Sequence, residues 1–154
     1  MFLFGFIVGV VCTLALIKYL APKMMIKVSE SPYPFDRTVE EIKSRAEKLG
    51  WNIPTIHDFG ENLKKAKDID IGPLKVIEFC KADYGAEVLK NDNTKFMSAF
   101  MPCGIGIFEK RDGKTYVAQR NMKLFSMMFG GKLGTILKKV AEEEEKITEF
   151  LKNS

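Results

Sequence analysis

The chain has 154 residues, 46% hydrophobic and 29% charged, which is the balance of a globular protein and not of a disordered or fibrous one. A net charge of +4, with 24 basic and 20 acidic residues, is too small and too mixed in sign for a nucleic-acid surface, so no nucleic acid is expected as a partner. The charges are also unevenly placed: before Ala21 there is only Lys18, which divides the chain into one apolar end and one charged remainder and excludes a multi-pass transporter.

The run from Phe2 to Ala21 has twenty residues. At a helical rise of about 1.5 Å per residue it spans about 30 Å, the thickness of a bilayer core. Residues 2–21 are therefore read as a transmembrane anchor in contact with lipid, and 22–154 as one domain. A cleaved signal peptide is the alternative. It needs a basic leading region, and no Lys or Arg precedes Lys18. Lys18, Lys23 and Lys27 follow the span, which places the domain on the cytoplasmic side by the positive-inside rule. Gly5 and Gly9 form a G-x-x-x-G pair, a spacing that lets two membrane helices pack closely. Ala21-Pro22-Lys23 reads as a short connector.

The first strand is predicted within Met24–Glu30. A helix capped by Asp36 or Thr38 follows, with Val39, Ile42, Ala46 and Leu49 on one face and Gly50 at its C′ position. Trp51-Asn52-Ile53 reads as a short strand or extended turn, and Ile56, Phe59, Leu63 and Ala66 as a second helical face. Leu74–Cys80 is a buried strand, and Asp83 caps a short helix carrying Tyr84, Val88 and Leu89. Phe96–Phe108 reads as extended. Asp112-Gly113 marks a hairpin whose returning strand is Thr115–Gln119. Asn121–Gly131 is rich in Met and Phe. The final helix lines up Leu133, Ile136, Leu137, Val140, Ile147 and Leu151, and Glu142–Glu145 reads as a solvated face paired with Lys138, Lys139 and Lys146. The fold class is α+β: one domain with a mixed or antiparallel sheet of four to five strands packed by helices.

The chemistry centres on two thiols. Cys12 lies in the apolar run, which leaves Cys80 and Cys103. Neither belongs to a C-x-x-C pair, so zinc-ribbon and thioredoxin signatures are absent. Cys80 ends a strand before a helix and beside Lys81, a setting that favours thiolate; the alternative is a small buried hydrophobe. In Met101–Ile107, alternation puts Cys103, Ile105 and Ile107 on one face and Pro102, Gly104 and Gly106 on the other. The two glycines leave room for a ligand or a second backbone. Cys80, Pro102, Cys103, Gly104 and Gly106 are thus the candidate ligand or thiol site. His57, the one histidine, reads as structural. Thioether and thiolate ligands suit copper(I), with Met101 and Cys103 the nearest pair. However, Met122, Met127 and Met128 lie with Leu124, Phe125 and Phe129 in an amphipathic stretch suited to packing. No metal, cofactor or nucleotide motif is assigned.

Thr38-Val39-Glu40 entering a helix that ends at Gly50-Trp51, the strand Val76–Cys80, Tyr84–Leu89, Met101-Pro102-Cys103 before an Ile-rich strand, and Asp112–Val117 occur in one order. From Thr38 to about Gly131 the chain resembles the domain of unknown function 302 family. The resemblance implies a compact α+β fold and a homodimer, with no reaction attached. It also implies that the Pro-Cys pair is accompanied by an upstream cysteine, here Cys80, and followed by an arginine, where this chain has Gly104. The expected protein is a single-pass, homodimeric domain that binds a small ligand or a membrane partner. The alternatives are a thiol or sulfur-handling protein using Cys80 and Cys103, and an accessory subunit of a membrane complex that docks through Met122–Phe129.

Overall fold

The computed structural model describes residues 1–153. The chain opens with one unbroken helix, α1 (Phe2–Met25), so Ala21-Pro22-Lys23 is not a connector. Pro22 sits in the last turns, where its missing N–H removes only the bond to the Lys18 carbonyl. Within α1, Phe4–Met25 is long and apolar enough to cross a bilayer, and none of it is buried against the rest of the chain.

Five strands follow: β1 (Ile26–Glu30), β2 (Asn52–Asp58), β3 (Leu74–Cys80), β4 (Cys103–Glu109) and β5 (Thr115–Arg120). They form one sheet in the order β1-β5-β4-β3-β2, and every neighbouring pair is antiparallel. Between them lie α2 (Phe35–Lys48), α3 (Phe59–Lys67) and α4 (Ala82–Leu89), and α5 (Met122–Met127) and α6 (Gly131–Ile147) follow β5. The α+β class is as expected, and the sheet is antiparallel throughout.

Facing residues on paired strands share a face, so the register fixes the two sides of the sheet. Ile77 lies opposite Ile105, Phe79 opposite Cys103, and Val117 opposite Ile107. These form the inner face, and all but Cys103 are buried. Val39, Ile42 and Ala46 of α2 and Ile136, Leu137, Val140 and Ile147 of α6 complete the core against them. The opposite side carries Val76, Gly104, Gly106 and Ala118 and is left open.

Several local expectations are corrected. The N-cap of α2 is Pro34, and neither Asp36 nor Thr38 caps it. Thr38 is fully buried, with its hydroxyl 2.7 Å from the Ser31 hydroxyl and 3.0 Å from the Pro34 carbonyl oxygen. At the other end Gly50 adopts φ +77°. The N–H of Gly50 donates to the Glu47 carbonyl and that of Trp51 to the Ala46 carbonyl, which is the Schellman pattern. Ile56 belongs to β2, opposite Ile77, and α3 starts only at Phe59, where Asp58 caps it by accepting the Glu61 N–H at 2.9 Å. Lys81, not Asp83, is the N-cap of α4. Asp92–Phe100 is a 3-10 helix, and extended structure resumes at Cys103. α5 and α6 meet at a tight corner, since a Cβ on Gly134 would collide with the Phe129 carbonyl oxygen.

Candidate functional site: a cavity at the end of β3 and β4

β3 ends at Cys80 and β4 begins at Cys103, so pairing of Phe79 with Cys103 brings both cysteines to the same end of the sheet. The chain then leaves β3 through α4 and reaches β4 through the 3-10 helix, and these two segments roof that end. Beneath them lies a cavity of about 50 Å3 walled by Trp51, Phe79, Tyr84, Val88, Met97 and Phe125, with Cys80, Pro102 and Cys103 among its lining residues. Its lining is almost wholly apolar, as small-molecule sites mostly are.

Three of the five expected site residues are therefore together: Cys80, Pro102 and Cys103. Gly104 and Gly106 lie elsewhere, on the open face. Gly104 lines a shallow depression there with Pro102, Val76, Ala118 and Arg120. A Cβ on Gly104 would meet Val76 at 3.5 Å and one on Gly106 the Ala118 carbonyl at 3.8 Å, both ordinary contacts. Packing within the chain does not demand glycine at either position. Where the resemblance expects an arginine after Pro-Cys, the neighbouring strand supplies one. The Arg120 guanidinium donates to the carbonyls of Phe100 at 3.0 Å and Pro102 at 3.4 Å.

Both thiols are free. In the strand register Cys103 lies opposite Phe79, so the two cysteines are offset by one residue, and both line the cavity. Burial pushes the Cys103 thiol up to about 12, and the nearby Glu144 carboxyl adds to the shift. The proton therefore stays on sulfur, beside the Glu144 carboxyl. Folded protein treated with iodoacetamide at pH 8 is expected to leave Cys103 largely unmodified and to alkylate it on unfolding, as read by peptide mass spectrometry. Rapid labelling of Cys103 in the folded state would contradict this burial.

The carboxylates of α6 were misplaced by the sequence reading. Of the run Glu142–Glu145, only Glu142 is exposed. Glu144 is buried against the inner face, and burial raises its carboxyl to about 7 despite the Cys103 hydrogen bond and the positive charges of Arg120 and Lys27. Glu145 lies 3.7 Å from Lys27 of β1. Glu143 binds three residues that line the cavity: it accepts from Trp51 Nε1 at 2.7 Å, Lys81 Nζ at 2.8 Å and the Tyr84 hydroxyl at 2.6 Å. Lys81 also donates to the Leu49 carbonyl at 2.9 Å, so the end of α2, the start of α4 and α6 are tied together. Burial works to raise the Glu143 carboxyl, but its three donors outweigh it and hold the group below the usual range. Burial and the same carboxylate push the Tyr84 phenol up to about 12. The result is a fixed, charge-balanced rim beside an apolar interior. Both ends of the Lys81–Glu143 ion pair are about four-fifths buried, with 19% side-chain exposure each. Lys81 and Tyr84 are one helical turn apart, but Trp51 and Glu143 come from distant stretches, so no local motif joins the four.

His57 lies on β2, where its Nε2 is 2.9 Å from Glu78 of β3. It stands apart from the cavity and is part of a cross-strand pair. Among the described residues no cluster of His, Cys, Asp and Glu is arranged to hold a metal ion.

A five-stranded antiparallel sheet with helices on one face and a roofed cavity at one end places the chain in the α+β class. Residues 26–153 match the family described as "Domain of unknown function DUF302". The chain belongs to the DUF302 family, and the match is longer at both ends than the stretch recognised from the sequence. The fold is also that of an uncharacterized conserved DUF302 protein from Bacillus stearothermophilus known from a crystal structure. The TM-score is 0.68 at 19% identity, covering 84% of this chain and 97% of that one. No curated protein matches the chain.

Proposed function

We propose that the protein is a membrane-anchored DUF302 domain that binds a small apolar ligand in the cavity beneath α4 and the 3-10 helix. The observation that carries the reading is the pairing of an apolar interior with the polar rim of Lys81, Glu143, Tyr84 and Trp51. An apolar pocket supplies affinity by burying ligand surface, and a few fixed polar groups at its mouth orient what enters. Met97, Met101 and Met122 line the cavity and can adjust their rotamers to the shape of a ligand. Anchoring is supported by the exposed apolar length of α1, with the domain on the cytoplasmic side favoured by Lys18, Lys23 and Lys27. A homodimer is proposed through the open side of the sheet, where Gly104, Gly106 and Ala118 permit close approach of a second copy.

Trp51 is the one tryptophan and lines the cavity, so its emission reports occupancy. Alkanols of one to three carbons, the size that a cavity of about 50 Å3 admits, titrated into the full chain in nanodiscs, are expected to shift that emission with saturation. Val88→Phe, which adds bulk to the cavity wall, is expected to weaken the response at least fivefold. A linear, unsaturable change that is identical in both proteins would refute the cavity as a binding site.

A further inference from the structure

The end of α1 is not a free hinge. The backbone N–H of Asn121 donates to the Met25 carbonyl at 2.7 Å, and its side-chain amide donates to the Met24 carbonyl at 2.9 Å. Asn121 is also the N-cap of α5, where it accepts the Leu124 N–H at 3.2 Å. One residue therefore closes the last turn of α1 and opens α5, which fixes α5 beside the end of the apolar helix.

The surface at this junction is unusually apolar for a face with nothing on it. Met127 at the end of α5 and its C-cap Met128 are 77% and 70% exposed, and Phe96 and Phe100 of the 3-10 helix are 54% and 42% exposed. Met24 and Met25 carry the same character onto α1 itself. Phe100 packs on Phe125 and Phe96 on Phe129, so the two segments form one surface. Between that surface and α1 lies a second cavity, of about 150 Å3, lined by Met25, Ile26, Phe100, Leu124, Phe125 and Met128. An apolar cavity of about that size accepts a benzene-sized group. Arg120 lines it as well and makes no ion pair among the described residues, its guanidinium meeting backbone carbonyls only. Lys23, with its ammonium on the Tyr19 hydroxyl at 2.8 Å, and exposed Lys123 add positive charge at the same end.

We infer that the face formed by the 3-10 helix and α5, with the cavity behind it, docks onto phospholipid of the bilayer that α1 enters. This rests on the anchoring reading above. The occupant is lipid because the patch continues the exposed apolar surface of α1 without a break and is pinned to its end. A bilayer that contains α1 must then meet Met24, Met25 and the α5 face together. Methionine and phenylalanine side chains gain from acyl surroundings, and basic groups at that level face headgroup phosphates. The domain is held flat on the leaflet and does not swing on a tether, and the 150 Å3 cavity opens to lipid instead of to water.

The full chain in phosphatidylcholine vesicles containing a phosphatidylcholine with a photoactivatable acyl chain provides the test. Peptide mapping after illumination is expected to find lipid adducts on α1, on 96–100 and on 124–128. The double substitution Met127→Glu, Met128→Glu is expected to cut adducts outside α1 at least fivefold, while adducts on α1 and resistance to alkaline carbonate extraction stay unchanged. Adducts confined to α1 in a carbonate-resistant protein would overturn the docking and leave the anchor standing. Joining of copies through Lys95 or Lys123 by an amine-reactive bifunctional cross-linker, with no lipid adducts at 96–100 and 124–128, would also overturn it. Release by carbonate with no adduct on α1 would remove the anchoring reading and the docking with it.

Discussion

Phe79→Ala is expected to destabilise the domain by about 3–5 kcal/mol, the range for emptying a buried aromatic site. Phe79 is 1% exposed and stands on an inner strand of the sheet, opposite Cys103. Its ring meets Trp51 edge to face, with centroids 6.4 Å apart, and forms part of the cavity wall. Removing it enlarges a void that already exists, between strands held on both sides by backbone ladders, so little can collapse into the space. For a chain of this size the thermal midpoint is expected to fall by about 10 °C or more. Circular dichroism of the full chain in detergent reads this directly, with Ile56→Ala on the exposed edge strand as the mild reference. Equal losses in the two variants would show that the core is not centred where the burial places it.

Glu144→Gln is expected to stabilise the protein, and only at the alkaline end. Burial raises the Glu144 carboxyl from an ordinary value of 4.5 to about 7 in the folded state. The folded chain thus holds a proton that the unfolded chain has already lost. Stability from this group is complete below about pH 4.5, falls as pH rises through the interval, and is gone above about pH 7. The size of the loss is about 3 kcal/mol, from the width of that interval. Glutamine keeps an acceptor for the Cys103 thiol and carries no charge, so the two proteins should match near pH 4.5 and diverge up to pH 8. Denaturant midpoints across that range provide the measurement. A difference that does not change with pH would mean that Glu144 ionises freely in the fold.

Glu144 also marks where sequence reading stops short. The apolar face of α6 was legible as Leu133, Ile136, Leu137, Val140 and Ile147, and position 144 falls in the gap between the last two, four residues after Val140. Helical spacing alone would have put Glu144 on the buried face. Its charged neighbours hid it, because a run of four glutamates reads as solvent-facing. Ile56 shows the reverse conflict. Ile56, Phe59 and Leu63 fit a helix face, yet pairing with Ile77 of β3 extends β2 through Ile56 to Asp58. Hydrogen bonds to a neighbouring strand outweigh a local periodicity that several backbones can satisfy.

By itself the sequence determined the elements whose cause is local. The apolar run Phe2–Ala21 sets most of α1. Gly50 ends α2 because its positive φ suits a residue without a Cβ, and Asp112-Gly113 turns the hairpin, with Gly113 at φ +75°. Alternation along Cys103–Ile107 sorted those residues correctly between the two sides of the sheet. Only the tertiary structure decided what meets across long separations. It joined Cys80, Pro102 and Cys103 in one cavity and brought Trp51, Lys81 and Tyr84 onto Glu143. It also carried α1 past Pro22 and locked its end to Asn121. Each of these depends on strand register and helix packing, which arise from the burial of all the elements together and leave no pattern in any one stretch of chain.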